Sequence, residues 1–98
     1  MPTRAEIDAL PGPAIVEFGN AWCGHCRAAQ PLIAQALASH APLTRLRIAD
    51  GKGLPLGRAF LVTRWPTLVF LRDGEEKARV VRPGSVSEIN DALEKITG

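Results

Sequence analysis

Both cysteines of the chain fall in one hexapeptide, Ala21-Trp22-Cys23-Gly24-His25-Cys26, separated by two residues. A short apolar run, Ala14-Ile15-Val16-Glu17-Phe18, precedes them, and a helix-patterned run follows. No other feature constrains the chain as much. A strand must deliver a cysteine pair into the first turn of a helix, where positions i and i+3 share a face. Two thiols so placed can close a small disulfide ring with little backbone movement.

The flanking pattern sets the remaining elements. Thr3-Arg4-Ala5-Glu6 has the form of a capping box and predicts a short helix to about Leu10, ended by Pro11-Gly12-Pro13. Residues 14–18 predict a strand, and a nearly continuous apolar run is what a sheet covered on both faces requires; Glu17 is the one acid in it. Ala29, Leu32, Ile33, Ala36 and Leu37 recur at helical spacing. They predict a helix from about Cys23 to Ser39, kinked at Pro31. Leu43 to Ala49 alternates, with Leu46 and Ile48 on one side and Arg45 and Arg47 on the other, which predicts a strand with Asp50-Gly51 as its exit. Gly51-Lys52-Gly53 lacks the spacing and the Ser or Thr of a phosphate loop. Leu54 to Phe60 predicts a short helix with Pro55 in its first turn. Thr67 to Leu71 is the strongest strand signal, joined through an Asp73-Gly74 hairpin turn to a returning strand over Glu75 to Val81. Ser85-Val86-Ser87-Glu88 reads as a second capping box, and Val86, Ile89, Ala92, Leu93 and Ile96 line one face of a last helix.

The order is α-β-α-β-α-β-β-α. Two strands joined through a helix are expected to be parallel with a right-handed crossover, and the last two form an antiparallel hairpin. The expected architecture is α/β, a four-stranded mixed sheet with helices on both faces. At 98 residues the chain is expected to form one domain, 1–98. A net charge of +2 with both signs scattered argues against a nucleic-acid or membrane-surface partner. No apolar run approaches the ~20 residues that span a bilayer, and no signal-peptide core opens the chain. Cytoplasm is therefore the expected location, and a CxxC there is more often catalytic or metal-binding than a staple.

The two sulfurs are not equivalent. Cys23 stands at the helix start, where free N–H groups and the dipole favour an anion, so its pKa should be lowered. Cys26 lies one turn inside. Cys23 is then the attacking thiolate on a substrate disulfide, and Cys26 resolves the mixed disulfide. His25, as imidazolium, would stabilise the reduced form. No cofactor is expected beyond the redox-active Cys23–Cys26 disulfide. A zinc site takes about four ligands, and two cysteines with two histidines, His25 cramped in the same turn, make a poor set; no metal is expected. Haem attachment needs His after the second Cys, where Arg27 stands. A non-catalytic alternative stays open: a partner-binding module built on Trp22 and Trp65, with the CxxC as a redox switch or metal-binding pair.

Several of these residues, taken in order, resemble a known family. Val16-Glu17-Phe18, then Trp22-Cys23-Gly24-His25-Cys26, then Pro31 eight residues after Cys23, then Trp65-Pro66-Thr67 before a strand and an Asp-Gly turn, look like the thioredoxin superfamily. The Cys-Gly-His-Cys centre is similar to that of the catalytic domains of protein disulfide isomerase. The resemblance implies the thioredoxin fold and a thiol–disulfide oxidoreductase. It implies that Glu17 is a buried acid below the disulfide, exchanging protons with Cys26, and that Gly24 and His25 modulate the site. It implies a cis Pro66 in a loop packed on the disulfide, with the Trp65 backbone pairing with substrate and Trp22 adding to the rim. Implied partners are disulfide-containing protein substrates, with a reductase or glutathione as electron donor; a monomer is the family-like state. The Gly-His pair points to the oxidising end and a cytoplasmic location to a reductase, which is the preferred direction.

The departures are specific. Gly19 replaces a tryptophan, Arg82 replaces a glycine often found after the last strand (Gly84 lies nearby), and the family's first strand has no counterpart. A lysine usual near the buried acid is unmatched, with Arg45 and Arg47 as candidates.

Overall fold

Strand alternation decides how the layers stack. In the computed structural model, which describes residues 1–97, β1 (Pro13–Gly19) is buried along Ala14 to Phe18. Its side chains point alternately to two faces. Ile15 packs with α2 (Gly24–Ala38) and α4 (Val86–Thr97), together with Ile33, Leu68, Phe70, Leu93 and Ile96. Ala14, Val16 and Phe18 pack with α1 (Arg4–Asp8) and α3 (Pro55–Ala59), through Ile7, Leu56 and Phe60. Both faces of the sheet are thus covered, two helices on each. Full burial of each such large side chain stabilises by about 1.5–3 kcal/mol relative to exposure.

The sheet order is β2-β1-β3-β4, with β2 (Thr44–Ala49), β3 (Thr67–Arg72) and β4 (Glu75–Val81). β1 and β2 are parallel; β3 runs antiparallel to both β1 and β4. This is the expected thioredoxin fold, with every expected element present in the expected order. The parallel register sets Ile15 across from Arg45 and Glu17 across from Arg47. Both arginines therefore share the face of Glu17, beneath α2.

Local chemistry closes the ends. Thr3 Oγ1 accepts from the Glu6 N–H at 3.1 Å while Glu6 Oε1 accepts from the Thr3 N–H at 3.0 Å, so the first capping box is complete. The second differs from expectation. Ser85 Oγ accepts from the Glu88 N–H at 3.3 Å, but Glu88 Oε1 reaches past Ser85 to the Gly84 N–H at 3.1 Å. At the β3–β4 turn, Asp73 (φ 51°) and Gly74 (φ 79°) both take left-handed backbone, as a type I′ hairpin requires. A Cβ on Gly74 would also strike the Asp8 carbonyl oxygen. Pro31 lies inside α2. Among the described residues no helix is long and apolar enough to cross a membrane.

Ile33, fully buried in α2 between the sheet and α4, tests this packing. Ile33→Ala is expected to lower the unfolding free energy by about 2–5 kcal/mol, read from the urea midpoint. A loss below about 1 kcal/mol would contradict the burial of α2 on this face.

Candidate active site

β1 ends at Gly19, and four residues later the chain enters α2 through Cys23, the N-cap. Cys23 has extended backbone (φ −78°, ψ 115°), and its Sγ accepts from the Cys26 N–H at 3.2 Å. Sulfur thus does the work that a Ser or Asp oxygen does at other helix starts. Burial alone would push the Cys23 thiol up. Hydrogen bonds from the Cys26 thiol and from the Cys26 and His25 N–H groups, with the Arg82 charge, outweigh it and hold the thiol below its ordinary value. The expectation of a lowered Cys23 pKa is met.

Cys26 is 5% exposed. A Cβ on residue 19 would lie only 2.6 Å from its sulfur, so the glycine that replaces the family's tryptophan is also where the inner thiol lodges. Burial pushes the Cys26 thiol up to about 11, helped by the hydrogen bond to Cys23 and by the Cys23 and Glu17 charges. One turn of helix therefore separates a thiol disposed to ionise from one disposed to keep its proton.

Below Cys26 lies a polar cluster inside an otherwise apolar layer. Glu17 is 4% exposed. Its Oε1 accepts from Arg45 Nη2 at 2.8 Å and its Oε2 from Gln30 Nε2 at 2.7 Å, and Arg47 Nε stands 3.6 Å from Oε2. Gln30 ties the cluster together: its Oε1 accepts from Arg45 at 2.9 Å and its Nε2 also donates to the Cys26 carbonyl at 3.2 Å. Both candidate cations thus stand at the buried acid, with Arg45 the shorter contact. Sequence reasoning did not select Gln30; its signal is position, one helical turn after Cys26 on the same face. A cleft of about 290 Å³, lined by Glu17, Gly19, Asn20, Ala21, Cys26 and Arg47 among others, leads to both the inner thiol and the acid.

The third part is the loop before β3. The Trp65–Pro66 peptide bond is cis. The Trp65 carbonyl oxygen lies 3.9 Å from Cys23 Sγ. The Trp65 indole is tethered, its Nε1 donating to Asp50 Oδ2 at 2.9 Å, so Asp50 serves as more than a strand exit. Trp22 is 86% exposed beside Cys23, and Gly24 and His25 are exposed on the first turn of α2. Arg82 keeps left-handed backbone (φ 50°) where glycine would be unstrained. Its N–H donates to the Pro66 carbonyl at 3.0 Å and its Nε to the Trp65 carbonyl at 2.9 Å. Among the described residues no three His, Cys, Asp or Glu side chains converge as a metal set.

A thiolate-favouring cysteine, a shielded partner and a cis-proline loop meet at the end of β1. The thioredoxin family model matches residues 4–95. The chain belongs to the thioredoxin family. It is a thiol–disulfide oxidoreductase whose CxxC pair is Cys23 and Cys26. Thioredoxin 2 of Pseudomonas aeruginosa PAO1, in its reduced form, superposes with a TM-score of 0.86 at 54% identity, covering 98% of this chain and 89% of that one. Thioredoxin Asp f 28 of Aspergillus fumigatus is 26% identical over 86 residues, 88% of this chain and 80% of that protein. Protein disulfide-isomerase A2 of Pongo abelii is 44% identical over 64 residues, 61% of this chain. This thioredoxin-family chain spans only 12% of the length of that isomerase.

The raised Cys26 pKa carries a sign. A thiol whose folded pKa lies above its ordinary value of 9.0 contributes stability that is fully present below about 9 and lost as pH rises through about 11. The reduced protein is therefore expected to lose stability across that window in urea titrations, and Cys26→Ala to remove the loss. A pH-independent urea midpoint from 8 to 11 in the reduced protein would contradict the shielding of Cys26.

Proposed function

We propose that this chain reduces or exchanges disulfides in protein substrates through a protein-disulfide-isomerase-type Cys-Gly-His-Cys centre, with Cys23 as nucleophile and Cys26 as resolving thiol. The observation that carries the reading is the asymmetry of the pair: Cys23 held below the ordinary thiol value, Cys26 pushed up to about 11. The Cys23 thiolate attacks one sulfur of the substrate disulfide. A Cys23–substrate S–S bond forms, the substrate S–S bond breaks, and the leaving thiolate takes a proton from water. Cys26 then gives its proton to Glu17 and attacks Cys23 Sγ; the Cys23–substrate S–S bond breaks, and the second substrate thiolate released takes a proton from solvent. The products are a Cys23–Cys26 disulfide and a substrate carrying two more electrons and two protons. A reductase or glutathione restores the dithiol.

Glu17 is the base we assign to the second step. It lines the same cleft as Cys26, and Gln30 and Arg45 orient its carboxylate. Gly24 and His25 modulate the site, and Trp22, Trp65 and Pro66 receive the substrate segment. The proposal includes a single 1–98 domain acting as a monomer in the cytoplasm, as part of cell redox homeostasis. The favoured net direction is reduction.

A second reading rests on Trp22: an aromatic side chain 86% exposed suits a non-catalytic module that holds a partner, with the cysteines as a switch. Turnover separates the two. Insulin reduction by dithiothreitol is expected to accelerate with the wild-type chain and to fall to background with Cys23→Ser. No acceleration by wild type, with Cys23→Ser still binding its partner, would favour the module. Glu17→Gln is expected to fold and to slow the resolving step by about 10²-fold or more in single-turnover quench experiments, within the range of general-base contributions. An unchanged resolving rate would remove Glu17 from the mechanism.

A further inference from the structure

Arg82 occupies its position against backbone preference. Left-handed backbone is strained at a non-glycine residue, and Arg82 has φ 50°. Its side chain is exposed and bends back, Nε on the Trp65 carbonyl, the same oxygen that lies 3.9 Å from Cys23 Sγ. One carbonyl thus separates the guanidinium from the reacting sulfur. Among the described residues Arg82 makes no ion pair and no other side-chain hydrogen bond, and the residue is exposed. Its surroundings repeat the pattern. Arg27 follows Cys26, Arg64 precedes Trp65, and Lys52 and Arg58 line a groove that Trp65 also borders. None of these four makes an ion pair among the described residues either, whereas the cations at Glu17, Arg45 and Arg47, are engaged by a carboxylate. Two acids also stand at this end: Asp50 lines the same groove, its Oδ2 accepting from the Trp65 indole, and Glu88 Oε1 accepts from the Gly84 N–H.

We infer that Arg82 is a specificity-determining residue that selects disulfides flanked by carboxylates. This deepens the exchange reading above and rests on it. The occupant is a polypeptide segment bearing a disulfide with acidic residues beside the scissile cysteine. One carboxylate sits on the Arg82 guanidinium, whose planar donors suit it, while the scissile sulfur faces Cys23. The neighbouring cations extend the attraction along the segment and raise the encounter rate. A segment carrying lysines at the same places is repelled.

The test uses the reduced full chain and three synthetic peptide disulfides that differ only in the residues flanking the cystine: glutamates, serines or lysines. Single-turnover second-order rates are measured by stopped flow at low and high salt. The glutamate peptide is expected to react on the order of ten-fold faster than the lysine peptide at low salt, and the ratio to shrink at high salt. Because Arg82 also bears on the Cys23 thiolate, absolute rates move in any variant, so the glutamate-to-lysine ratio is the readout. Arg82→Gln is expected to cut that ratio at least three-fold, and Arg82→Lys to retain most of it. An unchanged ratio in Arg82→Gln, or three equal rates in the wild type, would overturn the inference while leaving the exchange reading intact. Failure to reduce any of the three peptides would overturn the exchange reading and this inference with it.

Discussion

A hydrogen bond from the Cys26 N–H to the Cys23 sulfur sets the character of the site. It makes Cys23 the cap of α2, so the first turn of the helix points its free donors at a sulfur. The same contact fixes the distance between the two thiols and divides them electrically. The outer sulfur gains N–H donors and the Arg82 charge, while the inner one lies against Gly19 with the Glu17 charge as neighbour. Apolar packing on the sheet then serves to hold one end of β1 against one end of α2.

Within that packing, the Glu17 cluster is the costly part. A buried carboxylate in an apolar layer is tolerated when its lone pairs are met by donors. Parallel pairing of β1 with β2 supplies Arg45 and Arg47 on the correct face, and α2 supplies Gln30. Gln30 touches Glu17, Arg45 and the Cys26 carbonyl at once. Acid, strand and helix are thereby one unit, and a change in any of the three is felt at the inner thiol.

Most of the architecture was legible in the sequence because it rests on local signals. Thr3 and Glu6, the run Thr67 to Leu71, Asp73-Gly74 and the apolar stripe of α4 each announce an element within a few residues. The pair Cys23 and Cys26 and the single acid Glu17 announced the site in the same way. Long-range partners were not legible. That Arg45 approaches Glu17 more closely than Arg47, which sits directly across from it, depends on side-chain reach beyond strand register. That Asp50 holds the Trp65 indole, and that Arg82 folds back to the Trp65 carbonyl, depends on three loops meeting at one end of the sheet. Glu88 passing over Ser85 to Gly84 is a one-residue shift of a correct motif, of the kind a spacing rule does not resolve.

The decisive quantity for a thioredoxin-family exchanger is the reduction potential of the Cys23–Cys26 couple, measured by thiol tagging across a glutathione redox series. A single two-electron transition is expected between about −270 mV, where thioredoxin sits, and about −180 mV, where protein disulfide isomerase sits. The low end of that range marks a reductase and the high end an exchanger poised with glutathione. A couple below about −300 mV, where structural disulfides lie, or no disulfide between these two cysteines at all, would contradict a site built for exchange.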